Sequence, residues 1–135
     1  MNDECPTDIC IGVAIAEDEK DLVDVYERVF KKHDMRICYV AFNGREAVQK
    51  YIECTPKPHV VLMDYRMPIV NGIEATKELM RLDPDSRIVF LSADINVKEE
   101  ALQAGAKAFL KKPVRINDLV TTIKEQYKER GPQHT

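Results

Sequence analysis

The sequence has only five glycines, and none of the turns after its apolar runs is glycine-rich. A backbone cradle for a nucleotide phosphate is therefore missing, which argues against a nucleotide-binding enzyme or a flavin carrier. No two of the four cysteines (Cys5, Cys10, Cys38, Cys54) form a Cys-x-x-Cys pair, and the three histidines (His33, His59, His134) are scattered. That spacing disfavours a zinc site. Cys10 and Cys38 fall inside apolar runs and read as small core residues. No apolar run approaches the roughly 20 residues of a membrane span. The start, Met1-Asn2-Asp3-Glu4, lacks the basic and apolar stretches of a secretory signal. There is no excess of base either: 20 Lys and Arg against 23 Asp and Glu give a net charge of −3. A nucleic-acid or anionic-membrane surface calls for the opposite balance. A reducing cytoplasm is the expected setting.

What is present is an alternation. Ile9–Ala16 is a continuous apolar, β-branched run, the pattern of a strand covered on both faces. Leu22, Val25, Tyr26, Val29 and Phe30 then recur at three- and four-residue spacing, one apolar stripe of a helix. Arg36–Phe42 reads as a second strand. Asn43 with Glu46 three residues on resembles a capping box, opening a helix that turns Ala47, Val48, Tyr51 and Ile52 inward. His59–Met63 is a third strand. A loop leads to a helix over about 72–81 presenting Ile73, Thr76, Leu79 and Met80. Arg87–Leu91 is a fourth strand, and a short helix over 96–104 is stopped by Gly105. Lys107–Lys111 is a fifth strand, and Arg115–Arg130 a last helix with Ile116, Leu119, Val120, Ile123 and Tyr127 inward. Five strands alternating with five helices predict a doubly wound α/β domain, a parallel sheet covered on both faces. The domain is expected over 8–130, with tails at 1–7 and 131–135.

Open sheets of this kind gather ligands beyond the carboxyl ends of their strands. The residues there are Glu17, Asp18 and Glu19 after strand one and Asp64 after strand three. Ser92, Ala93 and Asp94 follow strand four, and Lys112 and Pro113 follow strand five. Clustered carboxylates resist ionising together, and a hard divalent ion relieves them. Glu17, Asp18 and Asp64 carry −3 and Lys112 +1, so the bare site holds −2 and one Mg²⁺ neutralises it. Asp64 can then serve as nucleophile toward a phosphoryl group, with Lys112 as a point charge and Ser92 as a hydrogen-bond donor to its oxygens. Taken singly, each feature is ordinary: acids at a helix start, a loop carboxylate, a surface lysine. The conjunction at four strand ends is what carries meaning.

In these segments the sequence resembles the receiver domain of two-component response regulators, the CheY-like family. The matching pieces are Glu17-Asp18-Glu19, Met63-Asp64-Tyr65-Arg66-Met67-Pro68 with Asn71-Gly72, Leu91-Ser92-Ala93, and Phe109-Leu110-Lys111-Lys112-Pro113. The resemblance implies a flavodoxin-like sheet of order 2-1-3-4-5. It implies that Asp64 is the phosphoacceptor and that Mg²⁺ is held by Asp18, Asp64, the backbone carbonyl of Arg66 and, through water, Glu17. Ser92 and Phe109 become the switch residues, Lys112 the phosphate partner, and Lys112-Pro113 a cis bond. Two departures stand out: Glu17 replaces a frequent Asp, and Phe109 a frequent Tyr, so that the switch ring has no hydroxyl.

The function implied is acceptance of a phosphoryl group from a histidine kinase or a histidine phosphotransfer protein, followed by phospho-dependent binding of a protein partner. The partner face is expected at the last helix-strand-helix, over about 96–130. The chain reads as a signalling module rather than an enzyme with its own substrate, a monomer or weak dimer without nucleic-acid or membrane binding. A relay intermediate that passes phosphate onward, or a receiver cut from a larger regulator, are the alternatives. Arg66 and Asp94, each two residues past a site residue and opposite in charge, are expected to flank the water path to Asp64.

Overall fold

The computed structural model describes residues 10–129. The ends of the expected domain, 8–9 and 130, and both tails lie outside them. The chain runs β1 (Ile11–Ala16), α1 (Lys20–Lys31), β2 (Met35–Ala41), α2 (Gly44–Glu53), β3 (Val60–Asp64), α3 (Gly72–Leu82) and β4 (Ile88–Ser92). A 3₁₀ turn (Ile95–Val97) then leads into α4 (Lys98–Ala104), β5 (Ala108–Lys111) and α5 (Ile116–Glu129). All neighbouring strands are parallel, in the order β2-β1-β3-β4-β5.

Two cores lie on the two faces of the sheet, as the continuous apolar strands require. On one face Ala14, Ala16, Val61, Met63, Ile88 and Phe90 pack under α2, α3 and α4. On the other, Ile11, Val13, Ile15, Leu62, Val89 and Leu91 pack under α1 and α5. The start of α2 is capped as expected: Asn43 Oδ1 accepts the Glu46 N–H at 2.8 Å, while Glu46 Oε1 reaches back to the Phe42 N–H at 2.7 Å.

Three residues expected inside are exposed: Val25, Ile52 and Ile116. In α1 apolar residues occupy two adjacent stripes, and the buried one is Val23, Tyr26 and Phe30. Spacing alone does not choose between stripes about 100° apart. Ile52 follows the buried Tyr51 in the last turn of α2, and Ile116 is the first residue of α5. Both stand at helix ends and outside both cores. Cys10 and Cys38 are half-buried rather than core residues; Cys10 is disulfide-bonded and Cys38 is a free thiol. Among the described residues no helix is long and apolar enough to cross a membrane.

Candidate functional site

The parallel sheet ends its strands side by side, so β1, β3 and β5 deliver Glu17, Asp64 and Lys112 to one place. Lys112 Nζ lies 2.7 Å from Asp64 Oδ1 and 2.8 Å from Glu17 Oε1. Glu17 is 2% exposed and Asp64 is also buried. Asp18 stands exposed beside them. One carboxylate oxygen from each of Glu17, Asp18 and Asp64 lies within 4.8 Å of the others. The Glu19 N–H bonds Glu17 Oε2 at 3.3 Å and fixes its second oxygen.

Backbone contacts hold the frame. The Glu17 N–H bonds the Ala41 carbonyl at 2.9 Å, and the Lys112 N–H bonds Ser92 O at 2.9 Å. Gly72 permits the approach of α3: a Cβ there would fall 2.1 Å from the Asp64 carbonyl oxygen. Asn71 caps that helix, its Oδ1 accepting the Glu74 N–H at 3.0 Å.

The electrostatics are unbalanced. Burial pushes the carboxyls of Glu17 and Asp64 above the ordinary range, and the hydrogen bonds from Lys112 only partly offset it. Burial pulls the other way on Lys112, yet its bonds to Asp64 and Glu17 outweigh that and hold the ammonium above the usual lysine range. One cation thus serves two buried anions with a third acid at the rim. A donor set made only of carboxylate oxygens, still carrying excess negative charge, fits a hard divalent cation.

The remaining residues surround this pocket. Ser92 is buried at the end of β4, and its Oγ accepts the Asp94 N–H at 3.0 Å within its own loop. Phe109 is half-buried and stacks on Phe90, with centroids 6.2 Å apart. Arg66 is 76% exposed and its guanidinium lies 3.9 Å from Asp94 Oδ2. The Lys112-Pro113 bond is cis.

The chain matches the response regulator receiver domain family over residues 13–124. It belongs to that family. The chemotaxis protein CheY of Thermotoga maritima is 38% identical over 113 residues, covering 82% of this chain and 92% of that protein. A protein-glutamate methylesterase/protein-glutamine glutaminase of the same organism is 36% identical over 118 residues, but the match spans only 32% of its length. Among solved structures, the CheX–CheY–BeF₃–Mg²⁺ complex of Borrelia burgdorferi aligns with a TM-score of 0.80 at 27% identity, over 85% of this chain and 87% of that one. This receiver domain is therefore CheY-like in sequence, fold and strand order.

In the receiver's site loop, Ile69 has φ of +69°, and the Val70 N–H bonds Pro68 O at 2.8 Å, the pattern of a γ-turn. Nothing in the sequence signals it. A β-branched residue is strained there. Its side chain is 69% exposed, so burial returns little. Ile69→Gly is expected to stabilise the domain by about 1 kcal/mol, since glycine takes this positive φ without a Cβ clash and the strain relieved outweighs its added unfolded-chain entropy. Urea unfolding reads the change, and an unchanged or lower midpoint would refute the strain.

Proposed function

We propose that the domain accepts a phosphoryl group on Asp64 with Mg²⁺ bound beside it, and that the modified state is read by a protein partner. The observation that carries this reading is the pair of buried carboxylates sharing one ammonium, with their excess negative charge unrelieved. Asp18 and Asp64 would hold the ion directly, with the Arg66 carbonyl, and Glu17 through water. Bound there, Mg²⁺ supplies the charge neutralisation that lets a phosphoryl group approach a carboxylate. The Borrelia complex contains Mg²⁺, which supports the same ion here.

Asp64 then donates an oxygen lone pair to phosphorus. The bond from phosphorus to the donor's histidine nitrogen breaks, and that nitrogen keeps the electron pair. Lys112, now 2.7 Å from Asp64, is placed to pair with the incoming oxygens. Ser92 would turn its hydroxyl from the Asp94 loop toward the phosphoryl group. The loop follows, and Phe109, now lying on Phe90, moves into the space released. The face formed by α4, β5 and α5 is the surface proposed to change with it. The phosphodonor is a histidine kinase or a histidine phosphotransfer protein, and onward transfer in a relay uses the same chemistry in reverse.

Incubation with a small acyl or amido phosphate, with and without Mg²⁺, followed by intact mass, tests the reading. One added phosphoryl group that depends on Mg²⁺ is expected; no addition, or addition indifferent to Mg²⁺, would refute it. A second expectation concerns the ion pair at the mouth. With Arg66 and Asp94 narrowing the approach of water, Arg66→Asn should hasten loss of the phosphoryl group severalfold. An unchanged decay of the phosphorylated mass would rule this role out.

A further inference from the structure

Two free thiols meet in the layer between β2 and α2. Cys38 is the extra residue of a bulge in β2: Val13 pairs with Ile37, and the next residue, Ala14, pairs with Tyr39. Strict alternation would send Cys38 and Tyr39 to opposite faces, whereas a bulge re-aims its residues. Tyr39 packs in the core beneath α2. Gly12 shares a face with Ala14 of that same core, and a Cβ on Gly12 would lie 2.8 Å from Cys38 Sγ. Cys38 Sγ therefore points to the α2 side, in space that only a glycine leaves open. Cys54 stands at the C-cap of α2, its Sγ 3.4 Å from Pro56 O. Both thiols are half-buried, and Cys54 lies within hydrogen-bonding reach of Cys38, with Tyr39 beside the pair.

We propose that Cys38 and Cys54 form an oxidisable dithiol site, whose disulfide staples the edge strand β2 to the end of α2. The oxidant class is a small disulfide such as oxidised glutathione. Cys54 is the first nucleophile, because it stands at the open C-cap of α2 where a small disulfide can reach it, whereas Cys38 lies deeper against β1 and burial pushes its thiol up. The Cys54 thiolate attacks one sulfur of glutathione disulfide, whose S–S bond breaks and releases one glutathione thiolate. Cys38 gives its proton to solvent and attacks Cys54 Sγ of the mixed disulfide, expelling the second. Two protein thiols are oxidised and one small disulfide is reduced to two thiols. The cross-link closes a short loop and restricts the unfolded chain, so the oxidised form melts higher. This site is independent of the phosphoacceptor reading.

The full chain is equilibrated in glutathione buffers of increasing oxidation, then mapped without reduction and melted. The expected result is a Cys38–Cys54 linked peptide, two thiols lost together, a higher Tm, and reversal by dithiothreitol. Cys38→Ala should instead hold glutathione on Cys54 with no rise in Tm, and Cys54→Ser, at the half-exposed end, should form no link. Glutathione on wild-type Cys54 beside an intact Cys38 thiol would overturn the proposal. So would unreacted thiols throughout, or a link from either residue to Cys10.

Discussion

Asp64→Asn is expected to abolish Mg²⁺-dependent phosphoryl uptake while raising the melting temperature of the metal-free protein at neutral pH. The first effect comes from losing the nucleophilic oxygen. The second comes from the sign of the electrostatics. Burial and the neighbouring acids hold the Asp64 carboxyl above its ordinary range, so the ionised form is less welcome folded than unfolded. An amide of the same shape removes that charge and can still accept the Lys112 hydrogen bond through its oxygen. Intact mass after phosphodonor treatment reads the first effect, and thermal unfolding in chelator reads the second. Continued uptake at one site in the variant would displace Asp64 from its role.

Lys112→Met carries the largest expected loss of stability. It strips the shared cation from Glu17 and Asp64, both buried, and leaves two uncompensated carboxylates facing each other. Breaking a buried pair in this way costs about 3 kcal/mol. The loss depends on pH in a defined direction. Both carboxyls already titrate above the ordinary range, and removing the ammonium raises them further. A carboxyl with a raised folded-state pKa adds no penalty below its unfolded value, where both states are protonated. Stability then falls as pH climbs from that value through the folded one. The variant should approach the parent near roughly pH 4 and diverge from it toward neutrality. Urea unfolding across that range checks both magnitude and slope, and a deficit independent of pH would mean that the lysine acts through packing alone.

The phosphoacceptor end of the sheet is legible in the sequence because the chemistry sits at strand ends. Apolar runs mark where strands stop, and the parallel topology gathers the residues just beyond them. Glu17, Asp64 and Lys112 meet for that reason, although 47 and 48 residues separate them along the chain. The strand order is legible only through the family resemblance, since alternation of strands and helices allows several orders. Finer features need coordinates. Two apolar stripes compete in α1, so spacing places Val25 inside where Val23 belongs. The bulge that turns Cys38 toward α2 leaves no trace in residue pattern. The positive φ of Ile69 contradicts its side-chain preference, and the turn holds it against local propensity. The hydroxyl oxygen of Ser92, expected to donate to the phosphoryl group, accepts the Asp94 N–H of its own loop, and its O–H remains able to donate. A hydroxyl can rotate between such partners, and residue type says nothing about which it takes.

An acidic pocket whose charge one lysine does not balance should take up a divalent cation, and titration of the metal-free chain with Mg²⁺ addresses that directly. Calorimetry with parallel melting should show saturable binding of one ion and a rising Tm. Both should weaken as pH falls and protons compete for Glu17 and Asp64, and both should vanish in Asp64→Asn. Binding that is absent at neutral pH, or that survives in Asp64→Asn with unchanged strength, would contradict it.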